Sequence, residues 1–209
     1  MKENSKPVYS RSVIEFVAVA NEFCKYLERS DELKGDELLK ILQRILPLMY
    51  IKASLLPELQ PFFEDGNEKF VTEEQWERLH AALNGKFGTA DDYQEVFDLN
   101  AADAGGAIVA SISENMTDIY QDIKDFLLLY QTGSSEVMND AVWECRLSFE
   151  NHWGQKLVNS LRAIHSFIYS GEVIAEVEKK SDNDKERDAS DWFITKRQQD
   201  FQKYGKDRV

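Results

Sequence analysis

Residues 113–126, SENMTDIYQDIKDF, set four acids at near-helical spacing: Glu114, Asp118, Asp122 and Asp125. Carboxylates repeated along a helix and turned into a bundle are the ligands from which magnesium and di-iron centres are built. The neighbouring residues argue for another role. On a wheel of about 100° per residue, Ile112, Met116, Ile119, Tyr120, Ile123, Phe126, Leu127 and Tyr130 share one sector, and the acids centre roughly 145° from its middle. That geometry predicts that Glu114, Asp118 and Asp125 face solvent, with Asp122 nearest the boundary.

A second set of polar groups interrupts the C-terminal apolar pattern. Met138, Val142, Cys145, Phe149 and Trp153 form one stripe, and Trp143, Leu147, Glu150, Gly154, Leu157, Leu161, Ile164 and Ile168 form another. Glu150 breaks an otherwise apolar row and needs a partner, because an unpaired buried carboxylate is costly. Arg146 and His152 are the local candidates. The functional reading of this interruption is a small pocket lined by Trp143, Glu150, His152 and Trp153; the structural reading is a polar pair. Gly154 in mid-helix implies the close approach of a neighbour.

The elements that would position these groups are helical. Val13, Phe16, Val17, Ala20, Phe23, Cys24 and Leu27 lay one stripe along a helix of about 12–29, with Ser12 and Glu15 as its capping box. Leu38 to Leu56 is apolar on nearly every side, which predicts a central helix, kinked or restarted at Pro47 and ended by Pro57. Lys52 within it is expected to extend its charge to the rim. Thr72 and Gln75 form a capping box for a short helix through Trp76, Leu79 and Leu83, and 91–97 suit one or two further helical turns. Long helices are expected over about 107–131 and 135–169, stopped by Gly133 and Gly171, as an antiparallel hairpin.

After Gly171 the composition changes. Residues 172–191 carry eight acids and four bases with little to bury, as a solvated linker would. The segment beyond regains amphipathicity, and Trp192, Phe193, Phe201 and Tyr204 are its candidate docking residues. The division that follows is a helical bundle over 10–170 and a charged linker with a short terminal helix over 171–209.

The formal net charge of −13 argues against nucleic acid and anionic lipid as partners. The most apolar run, 45–56, is far short of the roughly 20 residues of a spanning helix, and the N-terminus has no apolar signal region. A cytoplasmic location and two buried free thiols, Cys24 and Cys145, are the corresponding expectations.

Two resemblances bear on function. Glu73, Glu74 and Glu77 match the EExxE stretch of MazG-type all-helical nucleoside triphosphate pyrophosphatases, and Glu114 to Asp118 resembles their second acidic motif, with Asn115 where a carboxylate is expected. That likeness implies a magnesium-dependent hydrolase with metal ligands Glu73, Glu74, Glu77, Glu114 and Asp118. In addition, SISENMTDIYQDIKDF, EVMNDAVWECRLSFENHWGQKLVNSLRAIHSFIY and ILPLMYIKASLLP resemble an uncharacterised Bacteroidetes-type bacterial family, DUF5063-like, over about 10–170. It implies an all-helical protein and supplies no catalytic residues. The combined expectation is an all-α, single-domain bundle of about five to seven helices. Its expected function is as a non-catalytic protein-interaction or regulatory module, binding a partner protein or itself, with no cofactor and no catalytic residue; the hydrolase is the alternative.

Overall fold

The apolar stripe of the first helix is buried at Val13, Phe16, Ala20, Phe23, Cys24 and Leu27, with Val17 half-buried at its border. A computed structural model describes residues 6–64, 66–95 and 108–174. Within them lie α1 (Arg11–Glu28), α2 (Gly35–Ala53), α3 (Glu73–Phe87), β1 (Asp92–Glu95), β2 (Ile108–Ser111), α4 (Ile112–Tyr130), α5 (Ser135–Ser148) and α6 (Gly154–Ser170). A π-helical turn, Phe149–Trp153, joins α5 and α6 into one rod. The described residues are therefore predominantly α-helical, with one two-stranded antiparallel ribbon pairing Asp92 with Ser111 and Glu95 with Ile108. The expected linker and docking segment, including Trp192, Phe193, Phe201 and Tyr204, lies outside the described residues.

Several local expectations are corrected. Residues 108–111 are strand rather than the first turn of the 107–131 helix, and 92–95 are strand rather than helix. Their pairing returns the chain to the start of α4 and brings Asp91 beside it. The Ser12–Glu15 capping box does not form: Ser10 is the N-cap, Glu15 binds Arg11 and Lys52, and the Ser12 hydroxyl pairs with that of Ser10. Lys52 thus ends in an ion pair 2.6 Å long that ties α2 to α1. The Thr72–Gln75 box is present, with both of its hydrogen bonds. Pro47 lies inside α2, which continues through it to Ala53.

α2 is not alone at the centre. α2, apolar on nearly every side, packs on α1, α6 and α3 but leaves Leu48 and Ile51 exposed, as is Leu55 just past its end. α4 packs against α1, α3, α5 and α6. An acid-rich helix can occupy the centre only if its polar side chains find partners there, and they do. Ser113, Asn115, Thr117 and Asp125 are all buried. Thr117 donates to the Ser113 carbonyl at 2.7 Å, and Asn115 donates to Tyr93 and Ser160.

The crowding at Gly154 comes from the preceding turn of its own rod and not from a neighbouring helix. A Cβ there would lie 2.4 Å from the Phe149 carbonyl oxygen, which accepts the Gly154 N–H across the π turn. The extra residue in that turn rotates everything after it by about 100°. Accordingly α5 faces α4, while α6 reaches α2 as well as α4. It also splits the second apolar stripe: Leu157 and Ile164 are buried, but Leu147 is 43% exposed.

Candidate functional site

The acids of α4 do not line its wet side. Glu114 is exposed, but Asp118 accepts hydrogen bonds from Trp76 Nε1 at 2.8 Å and from Lys156. Asp122 accepts from Ser148 Oγ at 2.5 Å and has His152 Nδ1 at 3.3 Å. Asp125, expected to be solvated, is 2% exposed, and its Oδ1 accepts the backbone N–H groups of Phe70 and Val71 at 2.9 and 3.0 Å. The wheel misplaced Asp118 and Asp125 because helices surround α4 and because their partners come from distant segments.

The partners of Asp118 come from α3 and α6, whereas those of Asp125 belong to a strap, the connection between α2 and α3, which crosses α5 and α4. Arg146 donates to the Leu56 carbonyl and to Glu58; Asn139 donates to the Gln60 carbonyl. Asp140, itself buried, accepts from Phe62 N and Phe63 N at 2.7 and 2.8 Å, one to each oxygen. Glu144 accepts from Asn67 and Lys69. The strap makes no helix or sheet ladder, so carboxylates supply what its backbone donors need.

Beneath the strap, between α4 and α5, lies a cleft of about 120 Å³ lined by Lys69, Asp122, Asp125, Glu144, Cys145 and Ser148 among others. Burial raises the Asp125 carboxyl above the ordinary carboxylate range, and the Phe70 and Val71 amides with Lys69 offset that only in part. Burial alone would lower the Lys69 ammonium, but its hydrogen bond to Glu144 and the nearby Asp125 and Asp122 leave it above its usual value. The Cys145 thiol is pushed well up by burial, and Asp122 and Glu144 add to the effect, which disfavours the thiolate.

The Asp125 shift has a sign that can be tested. Its folded value lies above its unfolded one, so its contribution is full below the unfolded value and is lost as pH rises through the folded value. Asn keeps the acceptor for Phe70 and Val71 without the charge. The stability of Asp125→Asn relative to the parent is therefore expected to improve between pH 4 and pH 7, measured by urea unfolding at each. A difference that is constant or moves the other way would count against a buried carboxylate at this position.

The four residues of the sequence-derived pocket are not gathered. Trp153 is fully buried and packs its ring on Phe16 and Phe149, with centroids 6.4 and 4.8 Å away. Glu150 is exposed and paired with Arg146 at 2.9 Å; exposed His152 lies on Asp122; Trp143 is half-buried. The five carboxylates of the pyrophosphatase likeness do not converge either. Glu73, Glu74, Glu77 and Glu114 are exposed, and Asp118 is engaged by Trp76 and Lys156. Glu77 and His80 stand three apart on α3, a spacing found in di-iron bundles, but the His80 ring stacks on Trp76 at 5.0 Å. Among the described residues, no three His, Cys, Asp or Glu side chains come together as metal ligands.

The sequence reading missed Lys69, Asp140, Glu144 and Ser148. For three of them a signal existed: Asp140, Glu144 and Ser148 step by four along α5 between apolar rows, a polar line facing something that must satisfy it. Lys69, on the strap, gave none.

Among the described residues no helix is long and apolar enough to cross a membrane. No curated protein matches the chain. The fold is similar to that in the crystal structure of protein BF1032 from Bacteroides fragilis, a structural genomics target, at 41% identity and a TM-score of 0.70, over 80% of this chain and 98% of that one. Residues 7–170, containing all eight elements and the cleft, match the family described as domain of unknown function DUF5063, and the chain belongs to that family.

Proposed function

We propose that this protein is a non-catalytic interaction or regulatory module that associates with a second copy of itself through the outer face of α2. The observation that carries this reading is the row Leu48 and Ile51 on α2 with Leu55 just past its end, spaced three and four residues apart and left 49%, 51% and 57% exposed. A helix apolar on all sides belongs in an interior. Exposed apolar surface of this kind on a soluble domain marks a binding surface.

The occupant is the 192–204 segment of the second copy. On a helical wheel Phe193, Phe201 and Tyr204 fall in one sector, with Trp192 about 130° from its middle. Over residues 192–209, Lys196, Arg197, Lys203, Lys206 and Arg208 outnumber Asp200 and Asp207. Acids and bases balance over 175–209, so the whole net charge of −13 resides in residues 1–174. A basic aromatic segment is thus offered to an acidic domain, and such complementarity speeds encounter and favours the matched partner.

Sedimentation equilibrium tests this directly. The full chain is expected to self-associate, and both the Leu48→Asp/Ile51→Asp variant and a chain truncated after residue 174 are expected to remain monomeric. The relative from Bacteroides fragilis, matched over 98% of its length by 80% of this chain, supports the folding of the truncated domain by itself. A synthetic peptide of residues 190–209 should bind the truncated domain with a Kd on the order of micromolar, weakened by salt. A full chain that stays monomeric at every concentration, or peptide binding indifferent to Leu48→Asp, would sink this reading.

A further inference from the structure

We propose that the α4–α5 cleft is a binding site for a primary ammonium group on a short alkyl chain. The inference is independent of the association through α2 and rests on the composition of the cleft and on one unmatched oxygen.

Asp122, Asp125 and Glu144 set three carboxylates against the single cation Lys69 in the cleft lining. Asp125 is 2% exposed, and its second oxygen, Oδ2, has no hydrogen-bond partner among the described residues, although Oδ1 holds two backbone N–H groups. A buried carboxylate oxygen without a donor is costly, and a charged donor is its best match. Asp122, beside it in the lining, spends Oδ2 on Ser148 and His152. The excess of acid selects a cation.

Size and walls narrow the class. About 120 Å³ is room for several waters or for a small organic cation. A compact ammonium carries three donors and fits several acceptors at once, and Phe126, Leu129 and Ala141 in the same lining provide apolar surface for its methylenes. A divalent ion fits less well: the Lys69 ammonium already lies on Glu144 at 2.9 Å, and among the described residues no trio of His, Cys, Asp or Glu ligands converges. The ammonium could belong to a free alkylamine or to a lysine side chain of a polypeptide, and the experiment separates these.

The test is titration of the full chain with n-butylammonium chloride, and separately with N-acetyl-lysine methylamide, followed by amide NMR shifts. Saturable binding with a Kd on the order of millimolar is expected, perturbing residues of α4, α5 and 69–71. Lys69 is half exposed, so Lys69→Met removes a resident competitor without threatening the fold. It should tighten binding by about fivefold or more, a gain that damage to the fold would not produce. Asp122→Asn should weaken it by a similar factor. Tighter binding of the butylammonium assigns the site to free amines; tighter binding of the lysine amide assigns it to a polypeptide. The proposal is overturned if neither cation saturates, if butan-1-ol binds as well, if Lys69→Met has no effect or weakens binding, or if magnesium or manganese displaces the amine from the cleft.

Discussion

Asp91→Ala is expected to lower the stability of the protein by about 3–4 kcal/mol, among the largest effects of any single substitution in it. Asp91 is 2% exposed and follows α3 directly before β1. Its carboxylate accepts from Ser113 N at 2.7 Å, Ser113 Oγ at 2.7 Å, Ser111 Oγ at 2.8 Å and Asn84 Nδ2 at 2.9 Å. Its carbonyl accepts from Ile112 N at 2.9 Å. These bonds satisfy donors at the first turn of α4, where the helix dipole also favours a carboxylate. Alanine removes the acceptor and leaves the buried Ser113 N–H without one. The two serine hydroxyls, 2.9 Å apart, can serve each other, which limits the loss. In urea the midpoint should fall with the slope unchanged, and a loss under about 1 kcal/mol would show that the start of α4 is held by something else.

Trp153→Ala is expected to cost about 3–5 kcal/mol, the range for deleting a large buried ring. Trp153 is fully buried at the end of the π turn and packs with Phe16 of α1 and Phe149. Its loss opens a cavity where three elements meet. The indole Nε1 has no hydrogen-bond partner among the described residues, so part of what tryptophan contributes is offset by a buried unmet donor. Trp153→Phe, which removes that donor and keeps most of the ring, should therefore cost much less than the alanine variant. Equal losses from the two, in thermal and urea unfolding alike, would rule out this division between packing and polarity.

What the sequence disclosed, and what it withheld, follows from the range of the interactions involved. The buried stripe Val13–Leu27 and the Thr72–Gln75 box depend on residues within one or two turns, and both stand as expected. Asp125 was placed in solvent because the wheel sees only its own helix. Its Oδ1 accepts from Phe70 and Val71, more than fifty positions earlier, which no periodicity encodes. The oily α2 reads as the central helix, but α4 shares that place, packed by α1, α3, α5 and α6. Hydrophobicity alone understates α4, which buries small polar groups along with its apolar ones, while α2 leaves Leu48 and Ile51 on its outer side. The proposed pocket at Trp143, Glu150, His152 and Trp153 assumed an unbroken α-helical period across residues where the chain is π-helical.

The single surplus residue at Phe149–Trp153 works as a phase shifter in the longest rod. Upstream, the rod's inward side is set by α4; downstream, the same rod is re-aimed so that α2 shares it. Two halves that would otherwise compete for one azimuth can each meet a different wall. Lineages that inserted or dropped a residue elsewhere in the rod would need a compensating change to keep both halves aligned. Loss of the surplus residue itself would swing Leu157 and Ile164 by about 100°, away from the interior they now fill.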